Sequence, residues 1–237
     1  SSNEDTNYTY HLTKENTLYL ANTIAVVTGI DFHKVLEYFE EFEKDAELSQ
    51  IISAAVRNSE FRRIADTEVR FGRRIGWYTI ARIIKPAIII ETGVDKGLGS
   101  VVLCAALLKN KEEGYEGRYY GTDINPKAGY FLSGKYLEVG EILYGDSVES
   151  LSAFKENIDL FINDSDHSSD YEYREYQTIK NQLSEKAIIL GDNSHCSDKL
   201  AVFSNEMKRN FLFFKEEPEN HWYPGAGIGF SYKKGRI

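Results

Sequence analysis

The sequence predicts an α/β protein with a doubly wound, mostly parallel seven-stranded sheet and a helical N-terminal extension. Residues 88–90 are three isoleucines that follow Pro86 and end at Glu91, and a short β-branched run of this kind is typical of a strand buried on both faces. Glycines come next, and from Ser100 the apolar spacing becomes that of a helix. Several later apolar runs also end in an acidic residue, the pattern expected where the carboxyl ends of parallel strands bind a ligand.

The other elements follow from the same patterns. Residues 13–58 have helical spacing, with Gly29 ending the first helix and Asp31 capping the second. Further strands are expected at 118–122, 141–144, 158–162, 187–190, 211–214 and 227–232, the last of them antiparallel. The predicted organisation is a flexible tail over 1–12, a helical N-terminal cap over 13–70, and the sheet domain over 71–237.

Size and charge restrict the function. A chain of 237 residues with 42% hydrophobic content can build one α/β domain and a helical extension. The net charge of -9 argues against binding to nucleic acid or to an anionic membrane, which requires a basic surface. No apolar run approaches the ~18 residues of a membrane span. Two cysteines make no disulfide framework, so we expect a reducing, cytoplasmic location.

The glycine loop after the first strand indicates the kind of ligand. Its glycines, at 93, 97 and 99, do not have the G-x-G-x-x-G spacing of dinucleotide-binding loops. A loop of this kind can also be only a tight turn. The spacing Glu-x-Gly-x-x-x-Gly resembles the first motif of class I S-adenosylmethionine-dependent methyltransferases, which have a Rossmann-like fold. This resemblance implies a cofactor site at Glu91, Gly93, Gly97 and Ser100.

Two more strand ends extend the predicted cofactor site. Asp123 ends the second strand, where an acidic residue can accept hydrogen bonds from both ribose hydroxyls of a nucleoside. Asp146 and Ser147 end the third strand. By themselves these two residues would fit an ordinary turn, but the resemblance implies that they hold the adenine.

The fourth and fifth strands are followed by residues suited to catalysis. The fourth leads into Asn163-Asp164-Ser165-Asp166-His167, and the fifth into Gly191-Asp192-Asn193. Neighbouring parallel strands bring their carboxyl ends together, so Asp164, Asp192 and Asn193 should converge. Carboxylate and carboxamide oxygens suit Mg²⁺, with Mn²⁺ or Ca²⁺ as alternatives.

From Ile90 to Asn193 the chain resembles metal-dependent O-methyltransferases of the catechol and caffeoyl-coenzyme A type, and also sugar O-methyltransferases of macrolide biosynthesis. The resemblance implies a metal held by Asp164, Asp192 and Asn193, with Asp164 also beside the cofactor. It further implies a general base three residues after Asp164, which is His167. Asp166 is a competing ligand. His167 could instead make a local hydrogen bond at a helix N-terminus.

Together these features predict an S-adenosylmethionine-dependent O-methyltransferase, assisted by a divalent metal, that acts on a small polar hydroxyl acceptor. The histidine at the base position favours a sugar or natural-product hydroxyl. The alternatives are a nucleotide-binding Rossmann-type protein and a catalytically silent methyltransferase-fold binding module.

Other features of the sequence leave alternatives open. The arginine cluster at 62–82 either pairs with the acidic cap helices or binds an anion. His195 could also face the metal. His221, Trp222 and Tyr223 lie either in an acceptor wall or in a plain surface loop. The N-terminal helices are expected to shape the substrate entrance or to contact a second copy of the chain.

Overall fold

The computed structural model describes residues 10–60, 62–63, 68–165 and 168–233. Within these residues the α-helices are α1 Lys14–Thr28, α2 Phe32–Glu43, α3 Ala46–Asn58, α4 Arg74–Ile84, α5 Leu98–Glu112, α6 Ser147–Ala153, α7 Ser169–Ile179 and α8 Lys199–Glu206. The strands are β1 Ile88–Thr92, β2 Arg118–Asp123, β3 Gly140–Tyr144, β4 Ile158–Asn163, β5 Leu183–Gly191, β6 Asn210–Lys215 and β7 Gly227–Tyr232. All seven predicted strands are present, and their bounds shift by a few residues.

The strands form one sheet in the order β3-β2-β1-β4-β5-β7-β6. Strands β1 to β5 pair in parallel, whereas β7 is antiparallel to both β5 and β6. The predicted fold class is therefore confirmed. The chain builds outward from β1 through β2 to β3 and then returns to place β4 on the other side of β1. The carboxyl ends of β1 and β4 thus flank the point where the strand order reverses, which is where open α/β sheets bind ligands.

The isoleucine run is buried on both faces, as its composition predicts. Ile89 belongs to a core shared with helices α1 to α5, whereas Ile88 and Ile90 belong to a second core shared with α6, α7 and α8. This alternation follows from the two-residue period of a strand. It produces three layers, with helices covering both faces of the sheet.

The N-terminal helices are part of the main body of the protein. Leu20 of α1 and Val35 of α2 are fully buried in the same core as Ile89. Asp31 caps α2 by accepting a hydrogen bond from the backbone N–H of His33, as predicted. In the part of the chain that is described, no helix has the length and apolarity that a bilayer crossing requires.

The predicted flexible tail needs a correction at its carboxyl end. Residues 1–9 lie outside the described residues, but Tyr10 and Leu12 are buried. Leu12 pairs with Pro218 in an isolated antiparallel bridge, and the Tyr10 hydroxyl donates to Glu216 at 2.6 Å. The prediction failed because these contacts join residues about 206 positions apart in the sequence, and the local polar composition does not reveal them.

Candidate active site

A cavity of about 770 Å³ opens at the carboxyl edge of the sheet. Residues from the ends of β1 to β5 line it, together with the start of α4 and the loop before β7. The predicted site residues that line it are Glu91, Gly93, Asp123, Asp146, Ser147, Asp164, Asp192 and Asn193. Strand register therefore brings together side chains that lie up to about 100 residues apart in the sequence.

Gly93 and Gly97 shape the loop after β1. Gly93 has a φ of 80°, and a Cβ on it would lie 2.0 Å from the carbonyl oxygen of Asp164. Only glycine permits this close approach between the β1 and β4 loops. Gly97 has a φ of 94° at the start of α5 and lies outside the cavity lining. Both glycines are thus explained by backbone geometry.

Glu91 lies beneath the loop and is 1% exposed. Tyr119 donates a hydrogen bond to it at 2.5 Å, and the Ser100 hydroxyl lies at 3.4 Å. Ser100 is fully buried and lies outside the cavity lining, so its predicted contact with a cofactor becomes a supporting role behind Glu91. Burial raises the pKa of Glu91 to about 7, although Tyr119 and Arg74 act to lower it.

Glu91→Gln is expected to change how stability depends on pH. Because the folded-state pKa of Glu91, about 7, lies above its ordinary value of 4.5, the stability that Glu91 contributes is complete below about pH 4.5 and is lost as pH rises through 7. The free energy of unfolding of the wild type, relative to Glu91→Gln, should therefore fall by ~3 kcal/mol between pH 4.5 and 8. Urea unfolding at several pH values measures this difference, and a flat difference would contradict it.

Asp123 holds the glycine loop from β2. Its Oδ2 accepts from the backbone N–H groups of Val94 at 3.1 Å and Asp95 at 2.9 Å, and its Oδ1 accepts from Asn125 N–H at 2.8 Å. A carboxylate has about four acceptor positions, so capacity remains for a ligand. The next residue, Ile124, is 80% exposed in the cavity. The sequence-based prediction does not include Ile124, although an apolar residue directly after an acidic strand end can indicate such a position.

Asp146 caps α6 and lies next to Tyr171. Its side chain accepts from the backbone N–H of Glu149 at 3.0 Å and from the Tyr171 hydroxyl at 2.8 Å. The Glu149 N–H and then Tyr171 hold the pKa of Asp146 below its ordinary value. Asp146 is therefore an anion at neutral pH on the cavity wall.

Glu175 of α7 accepts hydrogen bonds from residues at the ends of several strands. This fully buried carboxylate accepts from the hydroxyls of Thr92 and Ser165, each at 2.9 Å, and also from the Asn163 amide and the Ser147 hydroxyl. Burial raises the pKa of Glu175, and these donors oppose the rise. Glu175 is not among the site residues predicted from the sequence. The available signal was its position on the helix face that also carries Tyr176 and Ile179.

The acids of β4 and β5 converge, but an arginine pairs with one of them. Arg73 Nε and Nη2 each lie 2.5 Å from an oxygen of Asp192. Burial acts to raise the pKa of Asp192, but the Arg73 guanidinium holds it below the ordinary value. Burial raises the pKa of Asp164 well above its usual range, and the Asp192 charge adds to this rise.

The predicted metal set does not fit a divalent cation in this arrangement. Arg73 donates to both oxygens of Asp192 and places a positive charge where a cation would bind. The Asn193 amide group points its nitrogen at the Ser165 carbonyl oxygen, 3.5 Å away. Within residues 10–60, 62–63, 68–165 and 168–233, no group of three or more His, Cys, Asp or Glu residues is placed to hold a metal. Asn193 is not one of these residue types, so the misfit of the predicted set depends on Arg73 and on the orientation of the Asn193 amide.

The predicted base, His167, and the competing ligand Asp166 lie outside the described residues. His195 is exposed on the cavity wall, with its Nδ1 3.1 Å from the backbone oxygen of Asp192. Its side chain thus lies beside the acid cluster. His167 as base stays a prediction.

An aromatic wall closes one side of the cavity. We define it as Tyr10, His221, Trp222 and Tyr223, all of which line the cavity. Tyr10 lies 5.1 Å from His221 and 5.9 Å from Tyr223 between ring centroids. The acceptor-wall alternative for residues 221–223 therefore agrees with their placement. Tyr10 was missed because it was assigned to the tail.

Comparison with known proteins identifies the fold and the domain. Residues 90–194 match the family model described as a methyltransferase domain. No curated protein matches the chain.

Solved structures have the same fold at low sequence identity. A methyltransferase from Geobacter sulfurreducens is 17% identical, with a TM-score of 0.57 over 78% of this chain and 90% of that one. The O-methyltransferase TomG from Streptomyces achromogenes, solved with SAM, is 15% identical, with a TM-score of 0.55 over 81% and 91% of the two chains. An O-methyltransferase from Bacillus cereus, solved with SAH, is 14% identical, with a TM-score of 0.53 over 80% and 92%.

The strand order and the acidic cleft at the strand ends agree with the fold of class I methyltransferases, the class that depends on S-adenosylmethionine, and residues 90–194 match a methyltransferase domain. The chain thus contains a methyltransferase domain and resembles O-methyltransferases in fold, and the resemblance deduced from the sequence is confirmed.

Proposed function

We propose that this protein transfers the methyl group of S-adenosylmethionine to a hydroxyl of a small polar acceptor. The observation that carries the proposal is one cavity lined by acids at the ends of β1 to β5, five strands that are neighbours in the order β3-β2-β1-β4-β5. The cofactor supplies an electrophilic methyl group on a sulfonium sulfur. Two similar structures that are named O-methyltransferases contain SAM or SAH, which supports the same cofactor here.

The lining residues fit the parts of this cofactor. Asp123 would accept hydrogen bonds from the ribose hydroxyls, and the exposed Ile124 beside it offers an apolar surface to the adenine ring. Asp146 and Ser147 would contact the edge of that ring. Glu91 and the Gly93 loop would lie at the methionine end, where negative charge favours both the ammonium and the sulfonium groups.

The remaining part of the cavity would hold the acceptor. The aromatic wall offers flat apolar surfaces with polar edges, which suit a sugar or another ring-containing natural product. Transfer requires the acceptor oxygen, the methyl carbon and the sulfur to lie in line, so this wall would act by positioning. A small-molecule acceptor also agrees with the net charge of -9, which disfavours nucleic acid.

His167 is proposed as the general base that removes the acceptor proton. His167→Ala should lower kcat by ~10²–10⁴-fold, the usual contribution of a general base, and should leave cofactor affinity unchanged. Methyl transfer to a panel of sugar and phenolic acceptors measures the rate. His33→Ala, an exposed residue of α2, is the matched control. If His195→Ala caused the loss instead, His195 would be the base and the assignment would be wrong.

Three features of the sequence-based prediction stay proposals. Divalent-metal assistance is the alternative mechanism, and the same assay with EDTA or added Mg²⁺ tests it. A contact with a second copy through the N-terminal helices is tested by the mass of the protein in solution. A cytoplasmic location agrees with the two unpaired cysteines.

The two alternative functions make a different prediction for the same assay. A nucleotide-binding protein or a catalytically silent binding module would give no methyl transfer with any acceptor.

A further inference from the structure

We propose that Arg73 is a built-in replacement for a divalent cation, so that the acidic edge formed by Asp164 and Asp192 operates without a metal. The sequence predicts Asp164 and Asp192 to be metal ligands, and it leaves the role of Arg73 open. The catalytic consequence of this proposal rests on the proposed function, whereas its binding consequence does not.

The contact between Arg73 and Asp192 has the geometry of a strong ion pair. Two guanidinium nitrogens approach two carboxylate oxygens at 2.5 Å each, and the side chains are only 10% and 7% exposed. Such paired contacts fix orientation as well as charge. A metal ion bound by Asp192 would share one of these oxygens with Arg73 and would be repelled by the guanidinium charge at close range. Arg73 and a cation therefore compete for one position.

Arg73 is also held from its other side. Its Nη1 lies 3.2 Å from Glu216 Oε2 and donates to the Tyr10 hydroxyl at 3.2 Å, while its backbone N–H donates to Glu216 at 3.1 Å. Glu216 is 1% exposed. The guanidinium thus bridges two buried carboxylates, and a metal could displace it only if Glu216 lost its charge partner. An arginine fixed in this way is a resident cation.

Arg74, which follows Arg73 at the start of α4, provides a control for the charge of Arg73. Arg74 lines the same cavity and stacks over Trp77 at 5.3 Å. Its Nε is buried without a hydrogen-bond partner in the described part of the chain, and it makes no hydrogen bond to Asp192 there. Two adjacent arginines therefore have the same charge but different contacts. Replacing each by glutamine removes the same charge, and only Arg73→Gln frees the oxygens of Asp192.

In the proposed reaction Arg73 would act as a positioning residue. It would orient Asp192 and supply positive charge beside the acceptor oxygen as that oxygen loses its proton, which is a contribution that a metal ion makes elsewhere. Without Arg73, the carboxylates of Asp164, Asp192 and Glu216 would lack this charge. They would then favour a divalent cation from solution.

Titration with Mn²⁺ followed by electron paramagnetic resonance tests this directly, without acceptor or cofactor. We expect no stoichiometric Mn²⁺ on the wild type or on Arg74→Gln. We expect one Mn²⁺ on Arg73→Gln with at least tenfold tighter binding, and its loss in Arg73→Gln/Asp192→Asn. Stoichiometric Mn²⁺ on the wild type that Asp192→Asn removes would overturn the proposal, even if Arg73→Gln failed to fold. A folded Arg73→Gln variant that bound Mn²⁺ no better than Arg74→Gln would also overturn it.

The methyl-transfer assay provides the second readout. Wild-type turnover should be unchanged by EDTA, whereas Arg73→Gln should lose at least tenfold and recover part of it with Mn²⁺. A folded Arg73→Gln variant whose lost turnover Mn²⁺ did not restore would contradict the role of Arg73. Absence of methyl transfer in the wild type would contradict the proposed function alone, because the Mn²⁺ titration does not depend on it.

Discussion

Gly93→Ala is expected to lower the free energy of unfolding by ~3 kcal/mol or more, because strain and a backbone clash act together. The φ of 80° is unfavourable for any residue with a Cβ, and that Cβ would lie 2.0 Å from the Asp164 carbonyl oxygen. To relieve the clash, the β1 and β4 loops must separate, which would deform the proposed cofactor and acceptor sites at once. Cofactor affinity should therefore fall together with stability.

Gly29→Ala is the matched control for this prediction. Gly29 ends α1 with a φ of 74°, and a Cβ there would meet nothing within 4 Å. This substitution should cost only the conformational strain, about 1 kcal/mol, and should leave cofactor affinity unchanged. Urea unfolding and cofactor titration of both variants give the comparison. Equal losses of stability in the two variants would show that the contact between the β1 and β4 loops is unimportant.

Asp192→Ala is expected to destabilise the fold by ~3–5 kcal/mol, since it removes one partner of a buried ion pair and leaves the other charge. Arg73 keeps Glu216 as a partner, which favours the lower end of this range. Turnover should fall at least tenfold, because Asp192 lines the cavity and its pair with Arg73 is lost. Cofactor affinity should change little, since the proposed cofactor contacts lie on other strand ends.

Asp159→Ala separates the loss of stability from the loss of activity. Asp159 is also buried, and it accepts from the Ala87 backbone N–H at 2.7 Å and the Ser184 hydroxyl at 2.6 Å. It lies at the start of β4, away from the cavity lining. We expect Asp159→Ala to lower stability without lowering turnover as Asp192→Ala does. Turnover should be measured under conditions in which both variants stay folded. A similar fall in turnover for both would mean that Asp192 acts only on stability.

The fold and the positions of the strand-end acids could be predicted because they depend on local patterns. Three consecutive isoleucines require burial on both faces, and the residue that ends each strand must lie at the carboxyl edge of the sheet. Glu91, Asp123, Asp146, Asp164 and Asp192 follow from those two facts. The order of strands in the sheet then brings these residues into one cavity.

The partners of these acids could not be predicted because they come from distant segments. Arg73 and Asp192 are 119 positions apart in the sequence, and the Tyr10 contact with Glu216 spans 206. The arginine cluster illustrates the limit. Arg82 pairs with Glu41 of α2, as one alternative proposed, whereas Arg73 pairs with an acid of the cavity. Both residues are arginines of α4, Arg73 at its start and Arg82 in its last turn. Composition alone therefore does not tell which of them reaches the cavity.

S-adenosylmethionine should bind at the acidic edge of the sheet, and calorimetric titration with S-adenosylhomocysteine measures this binding. We expect one site per chain in the wild type and at least tenfold weaker binding in Asp123→Ala. Asp198→Ala, which changes an exposed acid outside the cavity lining, should bind as the wild type does. Binding that is equal in all three proteins, or no heat in any of them, would contradict a cofactor site at this edge of the sheet.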